Sequence, residues 1–93
     1  MDIILPVRVK LHYDQAGSGH PTFIFVHGGG ADTSHLAPQF NFFSAYGTAI
    51  NIDLRGYGKS DKPRKYGTIE QYAEDIAHLC QHLDIKKPIL IGH

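Results

Sequence analysis

The sequence predicts an α/β chain, a mostly parallel sheet with flanking helices. Three observations lead there. "TFIFV" (residues 22–26), "TAINIDL" (48–54) and "ILIG" (89–92) are short apolar runs rich in β-branched residues, as strands buried on both faces would be. Between them lies a segment with apolar residues at helical spacing (69–83). A glycine-rich stretch, "HGGG" (27–30), directly succeeds the first run. Strands alternating with helical segments imply parallel pairing and right-handed crossovers.

Taken in order, "VRVKLHYD" (7–14) alternates, with Val7, Val9, Leu11 and Tyr13 on one side, which predicts a half-buried antiparallel strand. "QAGSGHP" (15–21) is a cluster of turn formers. After the 22–26 strand and its glycine loop, Leu36, Phe40 and Phe43 predict a helix, with Pro38 confined to its first turn. The 48–54 strand leads into "RGYGKSDKPRKYG" (55–67), a long polar loop. In the 69–83 helix, Thr68 and Gln71 can form a capping box. Ile69, Tyr72, Ala73, Ile76, Leu79, Cys80 and Leu83 share one face. Pro88 opens the last strand. The predicted order is β-β-α-β-α-β.

Composition narrows the function classes. The 93 residues suit one domain, and 42% hydrophobic content predicts a packed core. Nine basic and nine acidic residues cancel, so nothing in the charge favours nucleic acid or an anionic membrane. No apolar run could span a bilayer, and "MDIILPVRVK" does not resemble a signal peptide. The single cysteine, Cys80, allows no intrachain disulfide, so a cytoplasmic location is expected.

The glycine loop admits more than one chemistry. Backbone N–H groups at a strand-to-helix turn can hold an anion. One reading is a dinucleotide site, with Asp53 at the next strand as the ribose-binding acid; however, Thr33 stands where the third glycine of G-x-G-x-x-G belongs. A second is an oxyanion hole of the His-Gly-Gly-Gly type, which His27 directly before the glycines favours. A third is a tight turn without chemistry. "GKS" (58–60) is not a P-loop, because Asp53 stands where the preceding glycine is needed and no helix pattern succeeds it. His78 and His82 have metal-ligand spacing but lie off the apolar stripe without an acidic partner, so two solvated histidines are expected. Cys80 lies on the stripe as a buried, inert thiol. Phe40, Phe42, Phe43 and Tyr46 suit either core packing or the border of a pocket.

Three segments together resemble the α/β-hydrolase family: "FIFVHGGG", "INIDLRGYGKSDKP" and "PILIGH", in the family's order and spacing over essentially the whole chain. "APQF" in the first helix also fits many members. The resemblance implies that residues 1–93 are the N-terminal part of a single α/β-hydrolase domain, with the remainder of the same protein packed against this segment. Gly92 and His93 would open the nucleophile elbow G-x-Ser-x-G, with the nucleophile directly after His93. The acid and catalytic histidine would come later still, so no catalytic residue is expected in this chain. Gly29, with Gly30 as the alternative donor, would offer backbone N–H groups to the oxyanion. His27, Gly28, Asp53, Arg55 and Gly56 would shape the surrounding loops, Asp53 and Arg55 by bonding nearby backbone.

The implied activity is hydrolysis of an ester, thioester or carbon–carbon bond of a small carbonyl compound, without cofactor or metal, through a serine. An aspartate nucleophile would instead mean an epoxide hydrolase or haloalkane dehalogenase. Those enzymes usually carry a bulkier residue and then proline after His-Gly, where Gly29 and Gly30 stand here. A catalytically inactive member that binds a small hydrophobic ligand is a further alternative. The expected partners are a small-molecule substrate and the rest of the protein, with neither nucleic acid nor membrane.

Overall fold

A computed structural model describes residues 1–6, 8–28, 33–62 and 68–92. Five strands form one sheet: β1 (Asp2–Ile4), β2 (Lys10–Gly17), β3 (Thr22–Val26), β4 (Thr48–Ile52) and β5 (Pro88–Gly92). Their spatial order is β1-β2-β4-β3-β5. β3 pairs in parallel with both β4 and β5, whereas β2 is antiparallel to β1 and β4. Only β2 therefore runs against the other four strands. Helix α1 (Ala37–Phe43), entered through a 3₁₀ turn at Thr33–Leu36, joins β3 to β4. Helix α2 (Ile69–His82) joins β4 to β5.

The strand order explains why the two helices take opposite faces. The chain steps from β3 outward to β4, then crosses back over β3 to β5. Two crossovers of the same hand that travel in opposite directions must lie on opposite sides of the sheet. The period-two alternation of β3 and β4 supplies a core for each. Ile24, Ile50 and Ile52 meet Leu11, Tyr13 and Leu79 on the α2 side, with Ile76, Cys80, Leu83 and Ile85 packed around them. Phe23, Phe25 and Ala49 meet Leu36, Phe40 and Phe43 on the α1 side.

Some elements differ from expectation. Asp2–Ile4 form an edge strand, because Asp2, Ile3 and Ile4 pair with His12, Leu11 and Lys10. Arg8, at φ 60°, lies in the turn between β1 and β2 rather than in a strand. Val7 lies outside the described residues. Gln15, Ala16 and Gly17, expected in a turn, extend β2 because Ile50, Ala49 and Thr48 of β4 are available to pair with them. β4 ends at Ile52, two residues earlier than expected.

Helix α2 begins at Thr68, whose Oγ1 accepts the Gln71 N–H at 3.2 Å. The capping box is not completed by Gln71, whose side chain turns to Asp75 instead. The helix ends in a Schellman turn: Ile85 N–H donates to the Cys80 carbonyl, and Asp84 N–H to that of Gln81. Asp84, at φ 56°, takes the left-handed position that glycine usually fills. At the other end the apolar stripe misleads. Ile69 is 83% exposed, and Ala73 also faces solvent.

Candidate active site

The loops that resemble functional motifs all leave the same end of the sheet. β3 and β5 are parallel neighbours in a register that pairs Val26 with Gly92. The segment beginning His27-Gly28 and the segment beginning at Gly92 thus emerge side by side. The loop after β4 leaves one strand further along. Gly29, Gly30 and His93 lie outside the described residues. Gly92 ends β5, and a side chain there would meet open space.

His27 is buried and bridges two loops. The Leu54 N–H donates to His27 Nε2 at 3.0 Å. That nitrogen must present its lone pair, so the ring hydrogen is on Nδ1, which donates to the Gly28 carbonyl at 2.8 Å. The Tyr57 ring meets the imidazole edge-to-face, with centroids 5.3 Å apart.

The loop after β4 reads as polar and open in sequence, but most of residues 53–60 are buried. Its polar groups bond inward. Asp53 is 1% exposed, and its Oδ2 accepts the Lys59 N–H at 2.9 Å. Ser60 Oγ donates to the Asp53 carbonyl and accepts the His12 N–H of β2. Asp61 exchanges two backbone-directed bonds with Lys10, each of 2.8 Å. Gly56 (φ 89°) and Gly58 (φ 53°) supply left-handed corners. A Cβ on Gly58 would overlap the Asp53 carboxylate. Asp53 is thus turned into its own loop, away from the position of a ribose-binding acid. The Lys59 N–H is spent on Asp53 rather than offered to a phosphate.

Arg55 corrects the sequence reading. Instead of bonding nearby backbone, it makes a bidentate pair with Asp75 of α2: Nε to Oδ2 at 2.7 Å and Nη2 to Oδ1 at 2.8 Å. Gln71 Nε2 adds a third bond to Asp75 at 3.1 Å. Asp75 is 1% exposed and Arg55 6%. The hydrogen bonds to Asp75 raise the Arg55 pKa above its ordinary value, so the guanidinium stays charged. Tyr72 lies one turn before Asp75; burial first, then the nearby Tyr57, pushes its phenol pKa upward.

Sequence reasoning missed Asp75 and Tyr57. Asp75 left a signal: it lies three residues after Tyr72 and four before Leu79, on the buried face of the helix. An acid at such a position needs a basic partner. Tyr57 left none, since its role depends on where β3 and α2 converge. Of the other candidates, His78 is half-buried and His82 exposed. Among the described residues, no cluster of three side chains could hold a metal. Burial raises the Cys80 thiol pKa, which keeps it protonated and unreactive. Phe40 and Phe43 pack against Phe25, whereas Phe42 and Tyr46 are each 61% exposed. No helix among the described residues is long and apolar enough to cross a membrane.

The fold is a mostly parallel α/β unit in which the strand ends at Val26 and Gly92 lie side by side. Residues 21–93 match the model of the alpha/beta hydrolase fold family, and the chain belongs to that family. It is 37% identical to 2-(acetamidomethylene)succinate hydrolase of Mesorhizobium japonicum, over 92% of this chain and 31% of that protein. It is 32% identical to epoxide hydrolase 3 of Mus musculus, over 91% of this chain and 24% of the relative. Among solved structures, the enol-lactonase of Burkholderia xenovorans LB400 superposes with a TM-score of 0.90 at 28% identity, over 99% of this chain and 36% of that one. The chain thus spans about a third or less of the length of the curated relatives it matches.

Proposed function

We propose that this chain is the N-terminal part of a hydrolase that cleaves an ester, thioester or carbon–carbon bond of a small carbonyl substrate through a serine directly after His93. The observation that supports this reading is the pairing of Val26 with Gly92. It sets the start of the glycine loop beside the strand end from which an elbow would turn. In that arrangement the serine attacks the carbonyl, a histidine later in the protein takes its proton, and an acyl-enzyme forms. The Gly29 N–H, with Gly30 as the alternative donor, holds the oxyanion that develops. No cofactor enters this scheme. The remainder of the protein lies along β5 and carries the acid and the base, and the location is cytoplasmic.

The test is the complete protein assayed on an activated ester. Gly29→Val is expected to lower the turnover rate by about 3 kcal/mol in the transition state, near a hundredfold, with the thermal midpoint unchanged. Unaltered turnover at a normal midpoint would remove the oxyanion role. The likeness to an epoxide hydrolase supports a second reading, with aspartate as the nucleophile. The residue after His93 decides between them. A residue there with no nucleophilic group would favour an inactive, ligand-binding member.

A further inference from the structure

His12 of β2 holds its imidazole between two carboxylates. Nδ1 meets Asp2 Oδ1 of β1 at 2.8 Å, and Nε2 meets Asp14 Oδ1, two residues along β2, at 3.2 Å. Asp2 and His12 lie directly opposite each other in the register of the two strands. The His12 side chain is 11% exposed, against 46% for Asp2 and 49% for Asp14. An ionised carboxylate only accepts hydrogen bonds, and a neutral imidazole carries a single ring hydrogen. Serving both acids at once therefore takes two ring hydrogens, which is the imidazolium.

Loss of one proton changes the arrangement. One hydrogen is left for two carboxylates, the other nitrogen turns a lone pair toward an anion, and neither contact keeps its charge assistance. Of the two contacts, only the one to Asp2 joins two strands, because Asp14 shares β2 with His12. β1 is three residues long and, among the described residues, pairs with β2 alone. It has few backbone bonds to rely on when the side-chain contact weakens. The main chain of His12 serves another partner: its N–H donates to Ser60 Oγ, and its carbonyl accepts the Asp53 N–H. Those bonds do not depend on the charge of the ring. Charged groups adjoin the cluster from each neighbouring element. Lys10 of β2 and the Met1 amino group both act on Asp2. From the loop after β4, the Asp61 carboxylate accepts the Lys10 N–H, and that of Asp53 accepts the Lys59 N–H.

We propose that Asp2, His12 and Asp14 form a pH-sensitive latch that fastens β1 to β2 while His12 is charged and loosens β1 when the ring becomes neutral. The latch opens on the alkaline side, as the imidazolium gives up its second hydrogen. At the acid end, the hydrogen bond from His12 lowers the Asp2 pKa. That carboxylate stays ionised below its usual range, and its share of the stability is lost only as pH falls through the depressed value.

The test records amide exchange in the complete protein at about pH 5 and about pH 9, a span that brackets the ordinary titration of histidine. Rates are expressed as protection factors, which remove the intrinsic pH dependence of exchange. Tyr13 and Leu5 report on β1, because the Tyr13 N–H donates to the Met1 carbonyl and the Leu5 N–H to that of Val9. Asp53 is the control, since its N–H is held by the His12 carbonyl. No substrate is needed, so the outcome does not depend on the proposed hydrolase activity. From the lower pH to the higher, protection at Tyr13 and Leu5 should fall about fivefold, the scale of an ion pair whose acids are half in water, while Asp53 holds. The fall should coincide with loss of the second ring hydrogen of His12, monitored by ¹⁵N NMR. His12→Gln and Asp2→Asn should each abolish the pH dependence at Tyr13 and Leu5. Asp2→Asn replaces an exposed side chain and decides the matter if His12→Gln fails to fold. Constant protection across the range, a fall shared equally by Asp53, a fall out of step with the His12 ring, or one that persists in Asp2→Asn would each overturn the latch.

Discussion

The loop from Asp53 to Ser60 and the strand β5 reverse what their compositions suggest. The loop is polar, yet most of it is buried. The strand is apolar, yet Ile89 is 45% and Leu90 56% exposed. The loop is enclosed because its polar groups find partners: Asp53 with Lys59, Ser60 with β2, Arg55 with α2. Burial of polar groups is tolerated when each is bonded. The strand is open because, among the described residues, β5 pairs only with β3 and has an unpaired edge on its other side. Composition sets what a segment would gain by burial, while the availability of a partner decides whether it is buried.

The largest expected effect lies at β5. Residues 1–93 expressed alone should show no cooperative urea transition and should elute as assemblies, since an exposed apolar edge invites strand pairing. The loss would amount to the whole stability of a domain of this size, on the order of 5–15 kcal/mol. Leu90→Lys should suppress the assemblies without restoring the transition. A cooperative monomer would mean that β5 is a sufficient edge and needs no neighbour.

The next largest effect tests the loop's partner. In the complete protein Asp75→Leu leaves a buried guanidinium uncompensated and should cost about 3–5 kcal/mol in urea unfolding. Adding Arg55→Met should recover much of that, because the double variant buries no charge. If the single variant is as stable as the parent, the pair does not hold the loop to α2.

A smaller effect concerns the corner that admits the Asp53 carboxylate. Gly58→Ala forces a side chain into the left-handed region, at about 1–2 kcal/mol, and also displaces the carboxylate that accepts the Lys59 N–H. The expected outcome is a thermal midpoint lowered by more than strain alone would produce, together with faster amide exchange at Lys59. Normal protection at Lys59 would show that Asp53 can move aside and still hold the loop.

Several elements were legible in the sequence for local reasons. The continuous runs at 22–26 and 48–52 appear as parallel strands, and the helix ending near residue 83 is capped by Thr68 as its pattern indicates. Edge elements were less legible. Asp2–Ile4 is too short to show a period, and Gln15–Gly17 has the composition of a turn. Both are strands because a neighbour presents matching backbone groups. In the candidate site, a loop-shaping role for His27 came with the family resemblance. The Arg55–Asp75 pair did not, because its members are twenty residues apart and meet only when α2 packs on the sheet.

The sequence by itself determined the α/β layout and the helix on Thr68, and its three motifs carried the family resemblance. The layout and the helix are written in spacing along the chain, where strand and helix periods differ and can be read without knowing what lies opposite. Only the tertiary structure decided that Arg55 clasps a helix rather than its own loop, that His27 carries its hydrogen on Nδ1, and that Ile69 faces water while Asp75 does not. Those outcomes depend on which groups meet across the fold. A hydrogen bond or a buried charge is defined by its partner, and the partner lies in another part of the chain.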